Sequence, residues 1–201
     1  MKIQRNCIVC ILNQILRVCD YLALDEKQKN KILKKALERS AQYDYLNMTA
    51  PEVAGILYGI VIEETGQTDP YAVLKKDQND LILDRESYFK NRISKSNDPL
   101  GTAAKLSLAG NIIDYGGVEK FSFDPDRLDP IQIDIDEVDQ FKQKLASAKS
   151  LLYIADNAGE AVFDKLFIEE MRRQYPELNI RYSVKSAPAI NDIVLRDAVY
   201  I

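Results

Sequence analysis

The sequence contains no histidine at all, and only three of its 201 residues are cysteine. The absence of histidine excludes His-based catalytic triads, histidine general bases and histidine-rich zinc sites. No apolar run approaches the roughly 20 residues that span a membrane, and the first residues lack the long apolar core of a signal peptide. These absences predict a cytoplasmic protein that does not interact with membranes.

The three cysteines lie in a segment near the start of the chain whose apolar residues have helical spacing. Cys7 and Cys10 form a C-x-x-C pair, but no second pair exists to complete a four-cysteine zinc site. We favour the interpretation that they are small buried residues in a reducing compartment. A redox or metal-binding role for the pair is the alternative.

Composition places the chain among ordinary globular proteins. Hydrophobic residues make up 46% and charged residues 29% of the sequence, as in typical folded domains. The net charge of −4 indicates no general affinity for nucleic acid.

The apolar periodicity predicts a helical subdomain over residues 1–117, a connection and a helix over 118–148, and an α/β part over 149–201. Thr49 and Glu52 have the spacing of a capping box. Asp69-Pro70 and Asp98-Pro99 each combine an N-cap aspartate with a proline suited to the first helical position. The predicted fold class is therefore mixed, α+β or α/β, with a helical region followed by a Rossmann-like region.

Residues 151–160 read as a strand, a turn and the start of a helix. Five apolar residues (151–155) are typical of a parallel strand buried on both faces, and they run into Asp156 and Asn157. Open α/β sheets bind ligands at this carboxyl edge. Gly159 permits a tight turn, and the following helix N-terminus suits phosphate. The alternative is that Asp156 and Asn157 are ordinary turn or cap residues.

A second short strand (180–184) also ends in polar residues, Lys185 and then Asn191-Asp192. Strand, helix and strand form a βαβ unit with a right-handed crossover. Two adjacent parallel strands would bring Asp156, Asn157 and Asp192 to one edge, with Lys185 beside them. A metal held there would have only oxygen ligands, which suit Mg²⁺ or Mn²⁺.

Asn111 and Asp114 end an otherwise apolar helical segment. They either cap the helix or reach over the sheet edge to contact a ligand. From the residues alone, capping is the favoured interpretation.

Five segments together resemble the DUF89 family of damage-control phosphatases, which carry the ARMT1-like domain, and the cysteine pair resembles its prokaryotic branch. They occur in the family's order and with approximately its spacing. They are Cys7-x-x-Cys10; Glu64-Thr65-Gly66 with Asp69-Pro70-Tyr71; Asp98-Pro99-Leu100 leading to Ala109–Asp114; Asp156-Asn157-Ala158-Gly159-Glu160 with Val162-Phe163-Asp164; and Lys185-x-x-Pro188-x-Ile190-Asn191-Asp192.

The resemblance implies a helical subdomain packed on a three-layer α/β/α part with a parallel sheet. It implies a metal-dependent phosphatase that acts on small phosphorylated metabolites such as sugar phosphates. The implied cofactor is a divalent metal (Mn²⁺, Mg²⁺, Co²⁺ or Ni²⁺). The implied metal-binding and catalytic residues are Asp156, Asn157 and Asp192, and the implied phosphate-binding residues are Asn111, Asp114, Glu160 and Lys185.

The resemblance leaves the details of phosphoryl transfer open. We favour a metal-activated water over direct attack by Asp156, because Ala158 stands where haloacid-dehalogenase phosphatases carry their second aspartate. An S-adenosylmethionine-dependent carboxyl methyltransferase is a rival, but the loop has only one glycine where a nucleotide-binding loop has several.

Family members usually continue beyond the Asn191-Asp192 motif, and only two strong strands are visible in this sequence. We therefore expect a C-terminally truncated α/β part, and two strands rarely form a stable doubly wound sheet. A homo-oligomer or a completing chain would then cover the open edge. A non-catalytic subunit completed by a partner is a second rival to the phosphatase.

Overall fold

The computed structural model describes residues 2–43, 47–112 and 133–201. The predicted mixed α/β class is confirmed. In chain order the elements are α1 (Arg5–Tyr21), α2 (Glu26–Ser40), α3 (Ala50–Thr65), α4 (Ala72–Leu83), α5 (Glu86–Lys95), α6 (Pro99–Ile112), α7 (Val138–Leu145), β1 (Ser150–Ile154), α8 (Glu160–Gln174), β2 (Asn179–Ser183) and α9 (Leu195–Tyr200). None of these helices is long and apolar enough to cross a membrane.

The chain divides into two compact units. The first comprises residues 1–72 and 188–190, and the second comprises residues 73–187 and 191–201. The domain boundary predicted at residue 117 lies outside the described residues, and the predicted division stays a prediction.

Helices α1, α2 and α3 of the first unit pack against one another. The predicted capping box at α3 is confirmed, since Glu52 Oε2 accepts a hydrogen bond from the Thr49 N–H at 2.7 Å. That helix ends at Gly66, whose φ of 70° is a left-handed value that glycine adopts without strain. The apolar core of the unit includes Ile11, Ile15, Val18, Ile32, Ala36, Val53, Leu57, Ile60 and Val61.

The cysteine pair is more accessible than predicted. Cys10 is exposed and Cys7 is partly exposed, whereas Cys19 is buried. The buried interpretation was therefore wrong for Cys10, because the apolar face of α1 that packs inward is the one carrying Ile11, Ile15 and Cys19.

Alkylation should separate the cysteines by burial. Burial raises the pKa of the Cys19 thiol to about 11, and the neighbouring Asp20 charge adds to the effect. Since the thiolate is the reactive form, iodoacetamide at neutral pH should label Cys10 well before Cys19, as mass spectrometry of tryptic peptides would measure. Equal labelling rates in the folded chain would contradict this expectation.

The second unit is built around α6 and α8, which pack along their length. Asp98 caps α6 as predicted, since its carboxylate accepts from the Gly101 N–H at 3.0 Å. Phe163 of α8 is fully buried, and its ring meets Phe89 edge-on with 4.8 Å between centroids. Other buried residues of this core are Ile82, Ile93, Leu100, Ala103, Leu106, Leu145, Val162, Leu166 and Met171.

Helix α4 begins later than predicted. Pro70 is not its first residue, because Asp69 accepts from the Tyr71 N–H at 3.1 Å in a turn that precedes Ala72. Asp69 therefore organises the turn before the helix.

Strands β1 and β2 pair in parallel, with Ser150 opposite Asn179 and Ile154 opposite Ser183. The parallel sheet is as predicted, but β1 is not buried on both faces. Leu151 and Tyr153 pack on the core, whereas Leu152 is 64% and Ile154 75% exposed. In the described part of the chain no element covers the second face, and a continuous apolar run does not by itself reveal this. The expected covering chain stays a prediction.

Candidate functional site

Three segments meet at the carboxyl edge of the sheet. β1 ends at Ile154 and leads into Asp156 and Asn157, and β2 leads into Lys185. The chain then returns, and the N–H of Ile193 donates to the Asp156 carbonyl at 2.9 Å while the N–H of Ala158 donates to the Asn191 carbonyl at 2.9 Å. Asn157 and Asp192 are paired in this antiparallel bridge.

The carboxylates of Asp156 and Asp192 both lie near the ammonium group of Lys185. Lys185 Nζ lies 3.2 Å from Asp192 Oδ2 and 3.9 Å from Asp156 Oδ1. Asn157 is buried, and its amide nitrogen donates to Asp156 Oδ2 at 3.3 Å. The Asp156 side chain is 48% and the Asp192 side chain 19% exposed, so a ligand can approach from solvent.

This donor set fits a divalent cation. Two carboxylates and a side-chain amide offer only hard oxygen ligands, as Mg²⁺ and Mn²⁺ prefer. Both carboxylates already approach a common positive charge, the Lys185 ammonium. Among the described residues there is no metal-suited group of three or more His, Cys, Asp or Glu side chains, and the third ligand predicted here is the Asn157 amide.

Gly159 turns the chain from this edge into α8. Its φ of 82° lies in the left-handed region, where a side chain would be strained. Its N–H donates to Asn79 Oδ1 at 2.7 Å. The N-terminus of α8 thus follows Asp156 and Asn157 directly, and its Ala161 and Val162 N–H groups donate to the Asn157 carbonyl at 3.1 Å and the Gly159 carbonyl at 3.2 Å.

Glu160 opens α8 and contacts Asn111 at the end of α6. Asn111 Nδ2 donates to Glu160 Oε2 at 3.1 Å. The helices approach closely because residue 110 is glycine, where a Cβ would lie 2.8 Å from the Glu160 Cα. Burial raises the pKa of Glu160 to about 7, and the negative charges of Asp164 and Asp156 raise it further than the hydrogen bond from Asn111 lowers it.

The structure therefore brings six of the seven predicted site residues into two adjoining groups. Asp156, Asn157, Asp192 and Lys185 form one group, and Asn111 and Glu160 form the other, linked by the charge of Asp156 acting on Glu160. Asp114 lies outside the described residues.

Sequence reasoning missed the buried polar residues behind the site. Asp164, fully buried, accepts from Ser107 Oγ and Tyr153 OH at 2.6 Å each and from Tyr182 OH at 3.3 Å. Lys75 and Asn79 of α4 are also buried. Their four-residue spacing on one helix was a usable signal, whereas the hydroxyl partners of Asp164 come from distant segments.

Comparisons with known proteins identify the family of the chain. A family model described as the damage-control phosphatase ARMT1-like domain matches residues 3–201. The chain is 25% identical over 201 residues to a damage-control phosphatase of Pyrococcus horikoshii, covering 98% of this chain and 68% of that protein. It is 28% identical over 204 residues to a damage-control phosphatase of Archaeoglobus fulgidus, covering 98% and 69% respectively.

A solved structure shares the fold. The crystal structure of a DUF89 family protein from Pyrococcus horikoshii matches with a TM-score of 0.83 at 23% identity, covering all of this chain and 70% of that one. Fold and site together define a mixed α/β protein with acidic residues at the carboxyl edge of a parallel sheet. The chain belongs to the family of the damage-control phosphatase ARMT1-like domain.

Proposed function

We propose that this chain is a metal-dependent phosphatase that hydrolyses phosphate monoesters of small metabolites such as sugar phosphates. The observation that carries the proposal is the convergence of the Asp156 and Asp192 carboxylates on Lys185 Nζ, beside the N-terminus of α8. The names of the two phosphatase relatives support the reaction class.

In this proposal Asp156, Asn157 and Asp192 hold a divalent cation through their side-chain oxygens. When bound, the cation would polarise the phosphoryl group as a Lewis acid. Lys185 is close enough to both carboxylates to balance their charge, and its ammonium would also pair with a phosphoryl oxygen. The partial positive charge at the N-terminus of α8 favours the same negative charge.

In this proposal Glu160 serves as a proton donor. Burial and the charge of Asp164 favour its protonated form, which can donate a hydrogen bond to a phosphate or leaving-group oxygen. A pKa near the working pH is the range in which general acids and bases act best. Asn111 orients the carboxyl through its hydrogen bond.

Phosphate release tests the proposal directly. The chain would be assayed against a panel of sugar phosphates and an aryl phosphate with Mg²⁺, Mn²⁺, Co²⁺ and Ni²⁺, and then with excess EDTA. We expect release that depends on one or more of these metals and stops in EDTA. A folded chain that releases no phosphate with any metal would contradict the proposal and favour a binding subunit or a methyltransferase.

Replacing Asn111 with alanine separates a substrate contact from a helix cap. We expect Asn111→Ala to raise KM or lower kcat by roughly tenfold, the value of about one hydrogen bond to a charged group. Its Mn²⁺ affinity, measured by calorimetry, should equal that of the unmodified chain. A lower melting temperature with unchanged kinetics would mean that Asn111 only caps α6.

A further inference from the structure

One face of α4 is buried and mostly polar. Lys75, Gln78, Asn79 and Ile82 recur at the three- and four-residue spacing of a single helix face, and all four are buried. A helix face that packs inward is normally apolar. Buried polar groups need hydrogen-bond partners, and Lys75 and Asn79 find theirs in the loops that follow β1 and β2.

Asn79 holds the loop that follows β1. Its side-chain oxygen accepts from the Gly159 N–H at 2.7 Å. Gly159 is the N-cap residue of α8, and the first four N–H groups of a helix have no hydrogen-bond acceptor within the helix. The contact fixes the backbone two residues after Asn157.

Lys75 holds the loop that returns to the sheet edge. Its fully buried ammonium donates to the backbone oxygen of Asp192 at 3.4 Å and to Asp197 Oδ2 at 2.5 Å. The same Asp197 oxygen accepts from the Val194 N–H at 3.0 Å. The segment that carries Asp192 is thus fixed both at Asp192 itself and at Asp197.

The two loops are also joined to each other through the backbone hydrogen bonds of Ala158 and Ile193. Lys75 and Asn79 are one helical turn apart, so a single rigid element contacts both loops. Proposed metal ligands extend from each loop, and α4 contributes none of them. This arrangement resembles the outer-shell support that orients ligands in metal sites.

We infer that Lys75 and Asn79 are positioning residues, which hold the two loops so that Asp156, Asn157 and Asp192 converge on a divalent cation. This inference rests on the proposed function. A merely structural role for the polar face of α4 would lower stability and leave metal affinity unchanged, because the metal-bound and metal-free chains would lose the same contacts.

Mn²⁺ binding by isothermal titration calorimetry, without substrate, tests the inference on the full chain. Asn79→Ala should weaken the Mn²⁺ Kd by about 10–100-fold, as loss of outer-shell partners typically does. Asn79→Asp keeps an acceptor for the Gly159 N–H, and Asp equals Asn as an acceptor at helix N-termini. It should therefore bind Mn²⁺ more tightly than Asn79→Ala.

Lys75→Met removes the donor and should weaken Mn²⁺ binding by about the same 10–100-fold. Lys75→Met leaves the buried Asp197 carboxylate without the Lys75 ammonium. The double variant Lys75→Met with Asp197→Asn therefore tests the loss of the same contact without leaving an unpaired buried charge.

Two control variants also change residues of α4. Ile82→Val shortens a buried apolar residue of the same face, and Lys76→Met removes an exposed lysine that pairs with Asp80.

Both controls should keep the Kd of the unmodified chain, even where Ile82→Val lowers the melting temperature measured in EDTA. The inference is overturned if Asn79→Ala and the Lys75 variants lower only the melting temperature and bind Mn²⁺ as the unmodified chain does. Failure of the unmodified chain to bind Mn²⁺, Mg²⁺, Co²⁺ or Ni²⁺ would instead overturn the proposed function on which the inference rests.

Discussion

Asp192→Ala is expected to abolish Mn²⁺ binding and to lower phosphatase activity on the order of 10³-fold or more. A bound metal contributes several kcal/mol of transition-state stabilisation, and each 1.36 kcal/mol is a factor of ten in rate. The helical signal should change little, because Asp192 lies in the loop between β2 and α9, where its carboxylate pairs with the exposed Lys185.

Calorimetric titration with Mn²⁺, steady-state kinetics and far-UV circular dichroism would measure these effects together. Asp139→Ala is the matched control, since this exposed aspartate of α7 pairs with Lys142 and is remote in sequence from the proposed ligands. The control should keep both affinity and activity. Full activity in Asp192→Ala, or in excess chelator, would exclude the proposed metal site.

The parts of the fold that follow from local sequence were predictable. The ends of α3 and α6 are set by Thr49, Gly66 and Asp98, whose caps act on N–H and C=O groups a few residues away. The parallel βαβ unit followed from two short apolar runs around an amphipathic segment. This βαβ unit also predicted that Asp156, Asn157 and Asp192 lie close together, because the carboxyl ends of adjacent parallel strands lie at the same edge of a sheet.

Other features depend on contacts that sequence spacing does not encode. The exposure of Leu152 and Ile154 depends on what packs over the sheet, and an apolar run is the same in either case. The contact of Asn79 with Gly159 joins residues 80 positions apart. The raised pKa of Glu160 depends first on its burial, which spacing does not reveal, although the two carboxylates that raise it further, Asp156 and Asp164, each lie four residues away.

Asp164 is fully buried, and its removal should lower the free energy of unfolding of the chain. Its carboxylate accepts hydrogen bonds from Ser107, Tyr153 and Tyr182. In Asp164→Ala the hydroxyls of the buried Ser107 and of the part-buried Tyr153 and Tyr182 lose their acceptor, at about 1–3 kcal/mol for each group left buried and unsatisfied. Ser107 and Tyr153 lie 2.9 Å apart and can still pair with each other, so we expect a total loss of roughly 2–5 kcal/mol.

Urea unfolding at pH 7 would measure this loss. Tyr182→Phe removes the longest of the three hydrogen bonds and leaves the Asp164 carboxylate in place. This change should lower the free energy of unfolding by roughly 1 kcal/mol or less. A loss below about 1 kcal/mol in Asp164→Ala, or an equal loss in the two variants, would show that Asp164 does not organise this cluster.

The same carboxyl should also make stability depend on pH. Burial raises the pKa of Asp164 above its ordinary value, and the negative charge of Asp156 raises it further, whereas the hydrogen bonds from Ser107, Tyr153 and Tyr182 lower it by less. The folded chain then binds this proton more tightly than the unfolded chain does. Its contribution is fully present below the unfolded pKa, about 4, and is lost as pH rises through the higher folded pKa.

Asp164→Asn cannot titrate at this position, and its amide oxygen still accepts hydrogen bonds. The stability of the unmodified chain relative to Asp164→Asn should therefore fall as pH rises above about 4, as urea unfolding of both chains across a pH series would measure. A relative stability that rises with pH over the same range would mean that the three hydroxyl donors lower the pKa of Asp164 more than its burial raises it.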